Sequence, residues 1–245
     1  MDIAKNIIAF SENSVNCENC WLNNFSANED CSTEFLDMIL LNKEEKKYAK
    51  GAYLVKNGVQ VSGIYCIQKG TVKVFKKGIK NKDFILWIAG KGDIIGLNSF
   101  INDEVYSFSA SALDETSACF IPSSDLKILL SKKPVAFVQL MGNVCDKLNF
   151  VEQRITSISR KTIKEQFAEI LITISRNNTE GDKNVVINYS VKDLASFVGT
   201  TKNYLYKILV EFTDKKILSF NNRKFLISNM NALSLIAAGD GKLHK

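Results

Sequence analysis

The sequence predicts an α+β fold in three successive parts: a β-roll, one long helix that pairs two copies of the chain, and a C-terminal winged helix-turn-helix. Three observations carry this expectation. Short apolar runs punctuated by glycine fill Lys50 to Ile121. A heptad seam runs from Phe137 to Ile158. Two short helices with capping residues, joined at a glycine and followed by a short hairpin, occupy Ser190 to Ile227. The expected boundaries are residues 1–34 for a cysteine-containing segment, 35–133 for the roll, 134–159 for the dimerisation helix and 160–245 for the C-terminal domain.

The roll is read from runs such as Ile64-Tyr65-Cys66-Ile67, Thr71-Val72-Lys73-Val74-Phe75 and Phe84-Ile85-Leu86-Trp87-Ile88. Breaks are expected at Gly58, Gly63, Gly70, Gly78, Gly90, Gly92 and Gly96. Strands this short, about ten residues apart, indicate antiparallel pairing in a roll or barrel. Ser123 to Leu130 then reads as a short helix, and Pro134 opens the long one because its missing N–H is no loss at a first helical position.

In the long helix the seam positions are Phe137, Met141, Val144, Leu148, Val151, Ile155 and Ile158. Their spacing alternates between four and three residues, which keeps one stripe facing a partner helix. Asn143, Asp146, Gln153 and Arg154 are expected on the solvated side, and Lys147 and Glu152 at positions that meet across a parallel pair. Burying seven such side chains is worth roughly 10–20 kcal/mol per chain as an upper bound. Association costs about 4–15 kcal/mol or more, so an upstream domain could tip the balance.

A helix over roughly Lys161 to Ser175 presents Ile163, Phe167, Ile170 or Leu171, and Ile174 on one face. Asn177 to Asn184 is a polar loop, and Val185 to Asn188 a small strand. Ser190 caps a helix over Val191–Val198 with Asp193 in its first turn. Gly199 ends that helix, and Thr201 caps the next, Lys202 to Phe212. Ile217 to Phe220 and Lys224 to Ile227, joined through Asn221-Asn222-Arg223, make the wing.

Charge supports a polyanion partner for this region. The chain carries 32 Lys+Arg against 26 Asp+Glu, a net +6. Up to Ile158 the counts are 18 against 18, and from Ser159 onward 14 against 8, so the last third holds the whole excess. No run of about 18 apolar residues exists, and the N-terminus lacks a basic region followed by an apolar stretch. A cytoplasmic protein without a membrane partner is therefore expected, whose six cysteines are thiols or metal ligands rather than disulfides. With His244 as the sole histidine, no nucleophile–base pair is available, and no enzyme is expected.

Cys17 and Cys20 form a C-x-x-C pair whose thiolates can converge on one metal or cluster, with Cys31 able to fold back onto it. Put together, the order of parts resembles the superfamily of the cyclic-AMP receptor protein and the fumarate-and-nitrate-reduction regulator (CRP/FNR). The resemblance runs from about Cys17 to the chain end. Its most telling stretches are Gly92-Asp93-Ile94-Ile95-Gly96, Ser107 to Pro122, and Ser190 to Ile227. It implies a cyclic-nucleotide-binding-like roll, a dimer helix and binding of double-stranded DNA, with RNA polymerase as a further partner of an activator.

Cyclic-nucleotide binders of the superfamily use an acidic residue for the ribose and an Arg-Ser or Arg-Thr pair for the phosphate. The matching places here are Leu97 and Tyr106-Ser107, so a buried phosphodiester would lack its guanidinium and no cyclic nucleotide is expected. The oxygen-sensing branch carries three N-terminal cysteines and one before an Ile-Pro step in the roll, which implies Cys17, Cys20, Cys31 and Cys119 as ligands of a [4Fe–4S] cluster. The interval from Cys20 to Cys31 exceeds the family's, which leaves Asp30 as an alternative to Cys31. A Cys₄ zinc site uses the same ligands, and haem on a cysteine is a further alternative. Cys66 and Cys145 read as structural.

Where the family carries Glu and Arg to read bases, this chain has Asn203 and Lys207, and Tyr206 replaces a small residue. Asn suits adenine, and Lys suits guanine or a phosphate. Thr200, Thr201, Lys202 and Tyr204 are expected on phosphates, with Arg223 and Lys224 from the wing. Two other readings remain: a regulator with zinc or no metal and another effector, and an electron-transfer protein using the C-x-x-C cluster.

Overall fold

A computed structural model describes residues 43–78, 82–102, 104–132, 134–177, 186–187, 189–221 and 224–239. Cys17, Cys20, Cys31 and Arg223 lie outside them. The fold is α+β, as expected. It packs as two compact units, one of residues up to Val72 with Ala89–Val144, the other of Lys73–Ile88 with Cys145–Lys245.

The first unit is the body of the roll. Strands β1 (Glu44–Tyr48), β3 (Gly63–Lys69), β6 (Ile94–Ile95) and β8 (Thr116–Pro122) form an antiparallel sheet ordered β1–β8–β3–β6. β2 (Tyr53–Val55) pairs separately with β7 (Ser109–Ala112). Gly63 through Ile67 are all buried, as a central strand covered on both faces requires. β1 was not expected, because its sequence EEKKY has no apolar alternation. It is a sheet edge, where charged side chains keep further strands from pairing, and Lys46 lays its ammonium 3.7 Å from the centre of the Phe120 ring.

Gly63 is not a break between strands but the first residue of β3. A Cβ there would stand 2.2 Å from the Ile121 carbonyl oxygen on β8, so only glycine permits the approach. Gly63→Ala is expected to lower unfolding stability by about 1–3 kcal/mol through overpacking, read as a lower denaturant midpoint. An unchanged midpoint would contradict this packing.

Helix α1 (Leu97–Ile101) starts at Gly96, whose φ of 97° favours glycine. Helices α2 (Ser123–Lys132) and α3 (Pro134–Arg160) follow. The core of this unit joins Ile64 and Cys66 of β3, Ile94, Leu97 and Phe100, Cys119 and Ile121 of β8, Leu126 and Leu129 of α2, and Ala136 and Leu140 of α3. Two adjacent stripes therefore run along α3. Ala136 and Leu140 are fully buried and Val144 half-buried against this core, whereas Phe137, Leu148, Val151, Ile155 and Ile158 stay exposed within the single chain. Val144, read as a seam residue, thus faces partly inward.

In the second unit, β4 (Val72–Lys77) and β5 (Asp83–Ala89) form a hairpin. Helix α4 (Ile163–Asn177) packs on α7 (Met230–Ala238), and β9 (Val186–Ile187) completes a sheet ordered β10–β11–β9 with the wing strands β10 (Leu218–Asn221) and β11 (Lys224–Ile227). Helix α7 was not anticipated. It starts where the Asn229 side chain accepts the Ala232 N–H at 2.9 Å. Phe167 of α4 stacks on Phe212 at 5.9 Å, and Glu211 accepts from Lys164 at 2.6 Å and Lys215 at 2.8 Å. Those two hydrogen bonds hold the Glu211 carboxyl below its usual range.

Arg154 corrects the expected solvated side of α3. Its Nη2 donates to the Phe197 carbonyl at 2.8 Å while the guanidinium lies 5.1 Å from the centre of the Phe197 ring. A sequence pattern reads arginine as solvated, but its stem and planar head pack readily on an aromatic face. Cys145 differs too: it is exposed, not a packed structural cysteine. Lys147 lies over the Trp87 ring at 5.9 Å.

Candidate nucleic-acid interface and sensor core

The helix-turn-helix follows from local chemistry. The Ser190 hydroxyl accepts the Asp193 N–H at 3.1 Å, starting α5 (Val191–Val198). Gly199, at φ 83°, turns the chain, and the Thr200 N–H donates to the Ala195 carbonyl at 2.9 Å. The Thr201 hydroxyl accepts the Tyr204 N–H at 3.3 Å and opens α6 (Lys202–Asp214). Leu205, Ile208, Leu209 and Phe212 form the inner face of α6.

The outer face carries the residues expected to meet DNA. Thr201, Lys202, Asn203, Tyr204, Tyr206 and Lys207 are exposed, and Thr200 is half-buried in the turn. Tyr206 and Lys207 lie three and four residues after Asn203, and four and three before Val210, so the four share one face. Val210, 41% exposed, was not singled out from the sequence, where an aliphatic at that place reads as core. Strands β10 (Leu218–Asn221) and β11 (Lys224–Ile227) form the wing. Phe220 of β10 meets Tyr206 edge-on at 5.7 Å and stacks on Phe225 at 6.0 Å, which braces the tyrosine.

The β4–β5 hairpin meets α5 through an ion cluster that sequence reasoning missed. Lys73 donates to Asp83 at 3.0 Å and to Asp193 at 3.2 Å, and Lys77 reaches Asp83 at 2.6 Å. Burial alone would lower the Lys73 pKa, but its two carboxylate partners raise it above the usual value. Burial likewise pushes Asp83 up, and the hydrogen bonds from Lys77 and Lys73 outweigh it and hold the carboxyl low. The hairpin–α5 contact is thus charged on both sides and hydrogen-bonded. No local pattern announces a pair 120 residues apart.

In the roll, Cys119 and Cys66 are both buried and stand opposite one another on β8 and β3. Cys119 shares its core with Ala136 and Leu140 of α3. Among the described residues no group of three or more His, Cys, Asp or Glu side chains comes together as a metal site. Leu97 is buried at the start of α1, and Ser107 is exposed. Tyr106 is buried, donates from its hydroxyl to the Gly63 carbonyl at 2.7 Å, and sets its ring 3.0 Å from where a Gly96 Cβ would be. Among the described residues no helix is long and apolar enough to cross a membrane.

Comparison with known proteins agrees with this geometry. Residues 45–133 match the cyclic nucleotide-binding domain family. The chain is 25% identical over 230 residues to the fumarate and nitrate reduction regulatory protein of Vibrio cholerae, covering 91% of this chain and 90% of that one. In fold it is similar to FixK2 of Bradyrhizobium japonicum, with a TM-score of 0.73 and 20% identity over 79% of this chain and 96% of that one. It is equally similar, at 0.73 and 15% identity, to a putative transcriptional regulator of the CRP/FNR family from Eubacterium rectale, covering 90% of this chain and 99% of the other. With the roll, the long helix and the winged helix-turn-helix in place, the chain is similar over most of its length to transcription regulators of the CRP/FNR type.

Proposed function

We propose that this regulator is a homodimeric, DNA-binding protein of the cytoplasm that senses oxygen or redox state through a [4Fe–4S] cluster held by Cys17, Cys20, Cys31 and Cys119. The observation that carries the reading is the shared core of Cys119 and the start of α3. A change at the thiol is felt by Ala136 and Leu140, one residue from seam position Phe137 in one case and from Met141 in the other. The donor chemistry fits: four thiolates suit an iron–sulfur cluster, and the dry surroundings of Cys119 exclude water from its sulfur. The cluster, when bound, supplies a centre that oxygen can destroy.

The chain's own residues do the rest. Cys119 supplies the ligand that the roll contributes, from β8. The packed layer of Ile121, Leu126, Leu129, Ala136 and Leu140 then fixes the direction of α3. Pairing of Phe137, Leu148, Val151, Ile155 and Ile158 with the same residues of a second copy buries the exposed stripe and spaces two α6 helices for successive major grooves. Tyr106 stands where the resemblance puts the phosphate-binding arginine of cyclic-nucleotide binders, and its buried hydroxyl donates to the Gly63 carbonyl, which supports an effector other than a cyclic nucleotide.

The test is binding to duplex DNA by anaerobically purified protein, with iron, sulfide and zinc measured in the same sample. Tight binding that falls steeply with salt, and an iron-bearing protein, are expected. Zinc in place of iron would transfer the sensing role to a Cys₄ zinc or thiol switch, and absence of DNA binding would remove the reading altogether. Asn203→Ala and Lys207→Ala should each relax sequence preference by about 1–3 kcal/mol, whereas Arg223→Ala weakens all sequences alike. If all three behave alike in competition assays, the assignment of α6 as the reading helix fails.

A further inference from the structure

Tyr206 and Val210 are the unexplained residues of the outer face of α6. Both present apolar surface, the ring of Tyr206 and the isopropyl group of Val210, lie four residues apart on one side of the helix, and are 49% and 41% exposed. Single exposed apolar residues are ordinary on protein surfaces. Here, however, the ring of Tyr206 is held edge-on by Phe220, which in turn is stacked on Phe225. A side chain braced in this way and still half exposed has already lost its rotational freedom, so a partner can cover it at little further entropic cost. Asn203 stands three residues before Tyr206, and Lys207 lies between the two apolar side chains along the chain.

The face therefore offers an amide, an ammonium and an apolar step, with no acidic side chain among Asn203, Tyr206, Lys207 and Val210. In the major groove of DNA the apolar feature is the C5 methyl group of thymine, and an asparagine amide pairs with adenine N6 and N7. The excess of cations over anions in the last third of the chain favours the phosphates that flank such a site. Resting on the proposal that α6 enters the major groove, we infer that Tyr206 and Val210 form an apolar surface that reads thymine methyl groups beside an adenine read by Asn203. The regulator thereby prefers half-sites rich in A·T steps.

The inference is tested with the anaerobically purified full-length protein. Duplexes are selected from a random pool, and the preferred one is resynthesised with deoxyuridine in place of thymidine, which removes only the C5 methyl groups. Selected half-sites are expected to contain thymine, and each methyl lost at a contacted position should weaken binding roughly fourfold, the equivalent of one buried methylene-sized group. Tyr206→Ala and Val210→Asn should bind both forms equally, while Tyr206→Phe, which keeps the ring and its contact with Phe220, should keep the thymine preference. Equal binding of the two forms by the unaltered protein overturns the inference and leaves DNA binding intact. Failure to enrich any duplex overturns the inference together with the reading on which it rests.

Discussion

Ile155→Glu is expected to separate the proposed dimer into single chains. Ile155 is 62% exposed in the isolated chain, the most open of the seam residues, and lies toward the C-terminal end of the apolar stripe, one step before Ile158. In a parallel pair each seam side chain meets its counterpart, so one substitution removes two buried isoleucines and sets two carboxylates face to face. Losing the burial alone weakens the dimer by roughly 3–6 kcal/mol, a factor of about a hundred to ten thousand in its dissociation constant. Repulsion between the desolvated carboxylates adds to that. Sedimentation should show a monomer at concentrations where the unaltered protein is paired, with the roll still folded by circular dichroism. A variant that still dimerises as tightly would place the subunit contact elsewhere. Asp146→Ala, a change outside the seam, serves as the control and should leave pairing as it is.

The second large effect separates two cysteines that are neighbours in the core. Cys66 and Cys119 are paired residues on adjacent strands and equally buried, so truncating either to alanine removes a similar volume from the same core and weakens the fold comparably. Only Cys119 is assigned as a ligand. Cys119→Ala should therefore lose iron and oxygen-responsive DNA binding, whereas Cys66→Ala keeps both at a similar loss of thermal stability. Cys20→Ser should likewise lose iron. Iron retained in Cys119→Ala, or lost equally in Cys66→Ala, would show that the core and not a ligand was disturbed.

The parts of the fold that were legible are those whose causes are local. The heptad spacing and Pro134 gave the long helix, and Ser190, Gly199 and Thr201 bounded the two helices of the helix-turn-helix by their capping chemistry. The parts that were not legible depend on contacts far apart in sequence. β1 is held by pairing with β8, and its own charged sequence carries no strand signal. The hidden stripe Ala136–Leu140 can be told from the neighbouring seam only when the roll core is known. Arg154 reads as a solvated cation until the Phe197 carbonyl and ring are placed beside it. Lys73, Asp83 and Asp193 become one ion cluster only after folding. On the outer face of α6, the exposure of Asn203 and Lys207 agrees with their polar chemistry, whereas the exposure of Val210 was hidden by its apolar character.

The contact of β4–β5 with α5 bears on the same mechanism. Four charged side chains, Lys73, Asp83 and Asp193 each about one-fifth exposed and Lys77 more open, make up the ion cluster between the hairpin and the first helix of the helix-turn-helix. Partly buried charges of this kind are hydrogen-bonded to one another, so breaking the contact leaves carboxylates short of a partner. The first helix of the motif is in this way fixed at its N-terminal turn by Asp193 and near its C-terminal end by the Arg154 bond to Phe197. The second helix, α6, inherits that placement through the Gly199 turn.

Sedimentation velocity of the anaerobically purified chain, followed at the visible absorption of the iron–sulfur cluster and repeated after exposure to air, tests the central claim most directly. The account predicts a coloured dimer under anaerobic conditions that bleaches and dissociates together. A coloured species that remains a single chain, or a dimer that persists unchanged once the colour and the iron are gone, would contradict it.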